Sequence, residues 1–212
     1  MSGKSVENPL NIILCGVGGQ GNILASELLA SALVEKGYLV TVGETYGASQ
    51  RGGSVMSHVR VSKDLEYGVL IPRGKAHLIV GFEPMETLRI ARDYAGKNTW
   101  TIFDPRPNYP LGVLIGEAVY PSLQEVEDEL CGRCGAVWKI PATDLAISTG
   151  NFRATNIALM GALTALPQVP VEAADYGDVM AQRFPEKVLA KNQEVFLLGY
   201  QAMKKLLEMK SL

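Results

Sequence analysis

The chain has 212 residues, of which 47% are hydrophobic and 20% are charged, and its formal net charge at pH 7 is −2. That size suits one domain with a substantial core, and the lack of a basic surplus argues against nucleic acid as a partner. No run of about 18 apolar residues occurs, and the first ten residues lack the apolar centre of a signal peptide, so we expect neither a membrane span nor a secreted protein.

Short apolar runs alternate with segments of helical periodicity from the start of the chain. The run at 11–15 predicts a buried strand, and the spacing of Leu24, Leu28 and Ala32 predicts a helix after it. A second strand at 38–42 would complete a strand–helix–strand unit with a right-handed crossover. Further strands are predicted at 54–61, 77–82, 99–103 and 136–140, and further helices at 84–95, 123–130, 153–166 and 186–209.

The alternation of strands and helices predicts an α/β fold with a doubly wound, mostly parallel sheet. Residues 54–61 alternate between apolar and polar side chains, which predicts a half-exposed antiparallel strand, and we expect it to pair with 68–71 as an edge hairpin. The C-terminal helices are expected to cover one face of the sheet or to pack on a partner. We predict a single domain over 1–212, with 1–9 as a flexible N-terminus.

A glycine-rich turn, GVGGQG, lies between the first strand and the first helix. Gly16 permits a tight turn, Gly18 lets a ligand approach the backbone, and Gly21 allows the helix to pack closely on the strand. The helix that follows presents unpaired N–H groups, which suit a pyrophosphate or another anion. With Gly19 and Gln20, these residues are candidates for ligand binding, although a glycine turn without a ligand remains an alternative.

Two nucleotide-binding patterns can be compared with this turn. A P-loop is excluded because no Lys-Ser or Lys-Thr pair follows the glycines. An NAD site needs an acidic residue about 20 residues further on, and Glu44 lies 23 residues after Gly21. An NAD(P)-dependent dehydrogenase therefore stays open as an alternative, although a second glycine loop follows Glu44 where another strand–helix unit would be expected.

That second loop contains Gln50, Arg51, Gly52 and Gly53. Arg51 lies beside two glycines, where the backbone is free to approach a ligand, and its guanidinium could make a forked contact with a phosphate or a carboxylate. The alternative is a solvated surface arginine. All four residues are candidates for ligand binding.

Three other polar residues have simpler structural interpretations. Glu83 follows a predicted strand, at the edge where open α/β sheets bind ligands, but Glu83 with the proline after it more strongly indicates a helix start. His77 is expected to be a structural residue. His58 is expected on the polar side of its strand, where it could meet a ligand or a partner.

Cys131 and Cys134 form a CxxC pair, and the chain has one further cysteine. A structural zinc or a 4Fe–4S cluster needs four ligands, so we expect no complete metal site and favour a surface turn over a redox-active or shared pair. The low, odd number of cysteines favours a reducing cytoplasmic environment.

Five segments occur in an order that resembles a known family. The chain contains, in sequence, GVGGQG, YGASQRGGSVMSHVR, LIVGFEPMETLR, GNFRATNIALMGAL and KNQEVFLLGY. Over roughly residues 10–200 it is similar to the gamma-type domain of 2-oxoacid:ferredoxin oxidoreductases, and the second and third segments favour the aryl-pyruvate, indolepyruvate-type branch.

The resemblance implies a division of labour between two subunits. A large catalytic partner would hold thiamine diphosphate and the iron–sulfur clusters, coenzyme A would accept the acyl group, and ferredoxin would take the electrons. The gamma-type domain would lie over the active site and help to bind coenzyme A, through the matching loops at 16–21 and 50–53 and through Arg153 as an anion contact. The chain alone would then have no catalytic residue and no metal. A regulatory or scaffold subunit is a further alternative.

Overall fold

Six strands form one mixed sheet in the computed structural model, which describes residues 7–46 and 53–210. The strands are β1 (Leu10–Val17), β2 (Leu39–Tyr46), β3 (Ser54–Ser62), β4 (Leu78–Gly81), β5 (Trp100–Phe103) and β6 (Ala136–Lys139). The helices are α1 (Asn22–Glu35), α2 (Pro84–Tyr94), α3 (Leu111–Leu114), α4 (Leu123–Arg133), α5 (Ala142–Ser148), α6 (Thr155–Thr164), α7 (Ala173–Arg183) and α8 (Glu186–Lys210), with a 3₁₀ turn at Phe152–Ala154 before α6.

The sheet has the strand order β2-β3-β1-β4-β5-β6. Strands β1, β4, β5 and β6 are parallel, and β3 runs antiparallel to both of its neighbours. The predicted α/β class, with a mostly parallel sheet and an antiparallel hairpin at one edge, is therefore confirmed.

The apolar run of β1 is buried on both faces of the sheet. Leu10, Ile12 and Leu14 pack into the core that contains α1 and α5 to α8, whereas Ile13 and Cys15 pack into the core that contains α2 and α4. Burial on both sides explains why this strand is a continuous apolar run without alternation. The helices on the two faces thus follow from the side-chain pattern of the central strand.

The predicted partner of β3 is wrong. Val59 of β3 lies opposite Ile12 of β1 on one side and opposite Val42 of β2 on the other, so β3 separates β1 from β2. The segment expected to pair with it crosses nearby without joining the sheet, and Arg60 donates to the carbonyl oxygen of Gly68 at 2.8 Å. The Arg60 side chain thus bonds a carbonyl oxygen that would pair with a neighbouring strand if this segment had joined the sheet.

The C-terminal third is more helical than the sequence predicted. The helix expected from residue 153 begins at Thr155, after the 3₁₀ turn, and α7 was not predicted. Helices α6 and α8 pack with their backbones in contact, because a Cβ added to Gly161 or to Gly199 would collide with a carbonyl of the opposite helix. Among the helices of the described ranges, none is both long and apolar enough to cross a membrane.

Candidate functional site

The two glycine loops meet at the end of β1. The backbone N–H of Gly18 donates to the carbonyl oxygen of Gly53 at 2.8 Å, which joins the last residue of the second loop to the first loop. Gln50, Arg51 and Gly52 lie outside the described residues, so their ligand-binding role stays a prediction.

The side chain of Gln20 fixes the shape of the first loop. Its Oε1 accepts from the backbone N–H of Val17 at 2.7 Å, and its Nε2 donates to the carbonyl oxygen of Phe82 at 2.9 Å. The amide therefore links the end of β1 to the end of β4. The side chain has a positioning role, and the predicted contact between Gln20 and a ligand stays a prediction.

Three glycines of the loop have different reasons to lack a side chain. A Cβ on Gly16 would lie 2.6 Å from Gln20 Oε1 and 2.9 Å from the Cβ of Phe82. Gly21 has a φ of 84°, and a Cβ there would lie 2.5 Å from Nδ2 of Asn156, which donates to the Gly21 carbonyl at 3.2 Å. Gly19 has a φ of 104° with nothing within 4 Å of its would-be Cβ, so only Gly19 faces open space.

The N-terminus of α1 is open to a ligand. Gly21 is its N-cap, with no side-chain hydrogen bond at the cap and no acidic residue in the first turn. The first internal hydrogen bond runs from the N–H of Ala25 to the carbonyl of Gly21 at 3.0 Å. The N–H groups of Asn22, Ile23 and Leu24 therefore have no partner within the helix and, with the positive end of the helix dipole, suit an anion placed beside Gly19.

A cavity of about 280 Å³ adjoins this helix end. It extends from Gly19 and Gly21 to the turn before α6 and to the first half of α8, and Arg153 forms part of its lining. The Arg153 guanidinium is exposed and lies 5.6 Å from the ring centroid of Phe152. Arg153 lies more than 130 residues after the glycine turn in the sequence, and the fold brings both into one cavity.

Glu83 is buried at the C-terminal end of β4, with 1% of its surface exposed. Its Oε2 accepts from the N–H of Glu86 at 2.8 Å, which confirms the predicted helix cap, and its Oε1 accepts from the Tyr120 hydroxyl and from the N–H of Asn108 at 3.3 Å. Burial raises the pKa of Glu83, and these three hydrogen bonds oppose that shift. Glu83 thus anchors the segment between β5 and α4 to the sheet.

Asp104 plays a similar part at the end of β5. Its Oδ2 accepts from the backbone N–H of Thr143 at 3.2 Å and from the Thr143 hydroxyl, while Oδ1 accepts from the N–H of Arg106 at 3.4 Å. Burial raises the pKa of Asp104 to about 6, against the opposing effect of those hydrogen bonds. The only local signal of this role is that the aspartate directly follows a predicted strand.

Glu44 does not fit the role that an NAD site would require. Its Oε1 accepts from the Ser26 hydroxyl at 2.8 Å and its Oε2 from the Ser57 hydroxyl at 2.7 Å. Both carboxylate oxygens therefore hold serines of the protein, which gives Glu44 a structural role. Strand β3 also lies between β1 and β2, unlike the arrangement of a dinucleotide-binding unit.

Both histidines are structural. His58 is fully buried, and its Nδ1 accepts from the N–H of Ile71 at 3.2 Å, so the prediction that it could meet a ligand or a partner is wrong. The strand that carries it is covered on both faces by other elements. His77 accepts from the N–H of Asn11 at 2.9 Å through Nδ1, which confirms its predicted structural role.

The CxxC pair lies at the C-terminal end of α4, where a surface turn was expected. Cys131 is exposed, whereas Cys134 is buried and its sulfur is 3.2 Å from the hydroxyl of Thr101. Burial raises the pKa of Cys134, which disfavours a reactive thiolate. Within 7–46 and 53–210, no three histidine, cysteine or acidic side chains are grouped so that they could hold a metal ion.

Sequence and structure comparisons place these features among known proteins. Residues 11–202 match the family model described as pyruvate ferredoxin/flavodoxin oxidoreductase. Indolepyruvate oxidoreductase subunit IorB from Pyrococcus horikoshii is 42% identical over 203 residues, which cover 94% of this chain and 98% of that subunit.

Two solved structures share the fold. Pyruvate oxidoreductase subunit PORC from Thermotoga maritima superposes with a TM-score of 0.70 at 18% identity, covering 92% of this chain and 97% of that one. The 2-oxoglutarate:ferredoxin oxidoreductase from Magnetococcus marinus, solved with 2-oxoglutarate, coenzyme A and succinyl-CoA bound, gives a TM-score of 0.73 at 25% identity. The match covers 94% of this chain but only 32% of that longer chain.

Proposed function

The chain belongs to the pyruvate ferredoxin/flavodoxin oxidoreductase family, and we propose that it is the small subunit of an indolepyruvate-type 2-oxoacid:ferredoxin oxidoreductase. The 42% identity to a whole IorB subunit supports the aryl-pyruvate substrate class. In this proposal the large partner carries thiamine diphosphate and the iron–sulfur clusters, decarboxylates the 2-oxoacid and passes electrons to ferredoxin in the cytoplasm. The present chain acts as one domain, which binds coenzyme A over the partner's active site.

The open end of α1 carries the proposal of coenzyme A binding. The N-terminal end of α1 and Arg153 line one cavity from different elements. Coenzyme A has a pyrophosphate and a separate 3′-phosphate, so it needs anion-binding groups at two places. A helix N-terminus suits the pyrophosphate, and a guanidinium adds a charge-assisted donor.

The residues around the turn would prepare this site before the ligand arrives. Gln20 holds the loop against β1 and β4, and Asn156 holds the carbonyl of Gly21. Because these hydrogen bonds all lie within the chain, binding needs little reordering of the backbone. The chain's contribution to the reaction is therefore to place the acyl acceptor, while the bond-breaking chemistry belongs to the groups on the partner.

An exposed apolar segment supports assembly with the large subunit. No residue of α3 is buried, and the segment around it exposes five large side chains by 47% to 95%, namely Tyr109, Leu111, Leu114, Ile115 and Val119. Exposed apolar clusters of this kind mark interaction surfaces. The segment follows the C-terminal end of β5, at the same sheet edge as the glycine turn.

The proposal can be tested by co-expressing the chain with its large subunit and assaying ferredoxin reduction that depends on indolepyruvate and coenzyme A. The small chain alone should be colourless and inactive. Gly19→Asp places a carboxylate in the anion site and should raise the KM for coenzyme A about tenfold or more, because like charges repel strongly when they are juxtaposed. The KM for indolepyruvate should not change.

Gly74→Asp is the matched control, because Gly74 also has a positive φ, 70°, and open space around it, but lies in a distant turn. It also places an aspartate at a positive φ, but away from the cavity. An equal effect of both substitutions on the KM for coenzyme A, or an active complex that does not need coenzyme A, would refute the proposal. A brown small chain with iron–sulfur absorbance would refute the division of labour.

A further inference from the structure

Two cations lie near the end of the cavity that is formed by the turn before α6 and by α8. Arg153 lines the cavity, and the Lys191 ammonium lies 3.9 Å from the position that a Cβ on Gly150 would take, next to the lining residue Asn151. Neither Arg153 nor Lys191 forms an ion pair with a carboxylate in the described part of the chain. Both charges are therefore free to meet a ligand.

The side-chain amide of Asn192 adds a neutral group to the same cavity. Asn192 lines the cavity with only 5% of its surface exposed, and its Oδ1 accepts from Nδ2 of Asn151 at 2.9 Å. Its own Nδ2 makes no hydrogen bond to any residue that the structure describes. That nitrogen is not fully enclosed by the protein, so it can donate to a ligand in the cavity.

Helix α8 presents these groups on one side. Val188 lines the cavity together with Asn192, and Lys191 follows Val188 by three residues, so their side chains project from neighbouring positions on the helix surface. The cavity lining contains no aspartate or glutamate. The arrangement offers two positive charges and a neutral donor, which is the chemistry that binds a phosphate monoester dianion.

We propose that Arg153, Lys191 and Asn192 form a second anion subsite, which binds the 3′-phosphate of coenzyme A and so distinguishes coenzyme A from dephospho-coenzyme A. This inference rests on the proposed function, because it assigns the remaining phosphate of the same ligand. The pyrophosphate lies at the open end of α1, and the adenosine carries the 3′-phosphate across the cavity towards α8.

The test measures KM and kcat of the complete complex with coenzyme A and with dephospho-coenzyme A, which lacks only the 3′-phosphate. The wild-type complex should have a KM about tenfold or more higher for dephospho-coenzyme A, as expected for the loss of one charge-assisted contact. Arg153→Ala and Lys191→Ala should each raise the KM for coenzyme A by about tenfold and leave the KM for dephospho-coenzyme A unchanged. Lys191→Arg should keep the preference.

Lys205→Ala is the matched control, since it removes the same charge from an exposed position about 21 Å further along α8, and it should change neither KM. Equal use of the two ligands by the wild type would overturn the subsite. So would alanine variants that raise both KM values equally. If Gly19→Asp raises the KM for coenzyme A, but Arg153→Ala and Lys191→Ala do not change the preference for coenzyme A over dephospho-coenzyme A, only the subsite is refuted. If Gly19→Asp has no effect either, the proposed function fails with it.

Discussion

The hydroxyl of Tyr120 donates to a carboxylate that the fold keeps almost completely from water. Glu83 is 1% exposed, and its Oε1 has two donors, the Tyr120 hydroxyl and the N–H of Asn108. Tyr120→Phe removes one donor without changing the size of the ring. Hydrogen bonds to charged groups contribute about 1.5 to 3 kcal/mol, so we expect a loss of that size in the free energy of unfolding. For a chain of this length, the melting temperature should fall by roughly 3 to 10 °C.

The loss should depend on pH, because the hydroxyl stabilises the charged carboxylate. Burial raises the folded-state pKa of Glu83, and the Tyr120 hydroxyl lowers it, so the substitution should raise that pKa further. When a carboxyl has a higher pKa in the folded chain than in the unfolded chain, the free energy of unfolding falls as the pH rises from the unfolded-state pKa through the folded-state pKa. The reason is that the unfolded chain releases its proton first. The variant should therefore be most destabilised at pH values above the folded pKa, and least below it.

Urea unfolding at a series of pH values, for the wild type and the variant, measures this difference. Tyr109→Phe is the control, because the Tyr109 ring packs edge-to-face on Tyr120 at 5.0 Å but its hydroxyl does not bond to Glu83. The control should lose less than about 0.5 kcal/mol, as surface changes usually do. Equal losses in the two variants, or a loss in Tyr120→Phe that does not change with pH, would show that the hydroxyl does not support the buried charge.

Three further predictions concern other parts of the chain. Burial raises the pKa of Asp104 from 3.8 to about 6, a difference of about 2 that corresponds to roughly 3 kcal/mol. The free energy of unfolding should fall by this amount as the pH rises through that interval, and Asp104→Asn should lose this pH dependence in urea titrations. An unchanged pH dependence in the variant would contradict the role of Asp104. Gly199→Ala should lower the free energy of unfolding by about 1 to 3 kcal/mol or more, because the new Cβ meets the backbone of α6. Gly177→Ala, in open space, should raise it by up to about 1 kcal/mol. Equal unfolding midpoints for the two variants would refute the close packing of α6 and α8. Leu111→Ser should weaken binding to the large subunit by about fivefold or more in calorimetry, and Leu65→Ser, also exposed, should not; identical affinities for the two variants would exclude the segment from the interface.

Most strands and helices could be predicted because each has a local signal. Buried strands are continuous apolar runs, and Pro84 after Glu83 marks the start of α2. The position of β3 could not be predicted, because alternation along a strand indicates its two faces and not its neighbours. Helix α7 buries only Tyr176, Val179 and Met180, a weak stripe. Its start did have a signal, since the Asp175 carboxylate accepts from the N–H of Glu172 at 2.8 Å.

The site was predictable only where its residues are close in sequence. The glycine pattern indicates a helix end that can bind an anion, and the resemblance to the family added Arg153. Asn156 is 135 residues from Gly21, to which it bonds. Lys191 and Asn192 begin the fifth segment of the family resemblance, but their helix was predicted only to cover the sheet or to pack on a partner. Long-range pairs of this kind depend on how α6 and α8 pack, and no local pattern specifies that packing.

The Gln20 amide explains how a turn that resembles a dinucleotide motif can direct its ligand elsewhere. In doubly wound sheets the ligand crevice lies between the two strands whose helices pack on opposite faces, which here are β1 and β4. The Gln20 side chain bridges these two strands from Val17 to Phe82, so its amide lies across that crevice. One cavity that begins at Gly19 extends past Leu24 of α1 to Arg153 and α8, on the face that the C-terminal helices cover. In the proposed binding mode, a ligand at the helix end extends across that face, and its outermost phosphate contacts Arg153 and Lys191, far along the chain from the glycine turn.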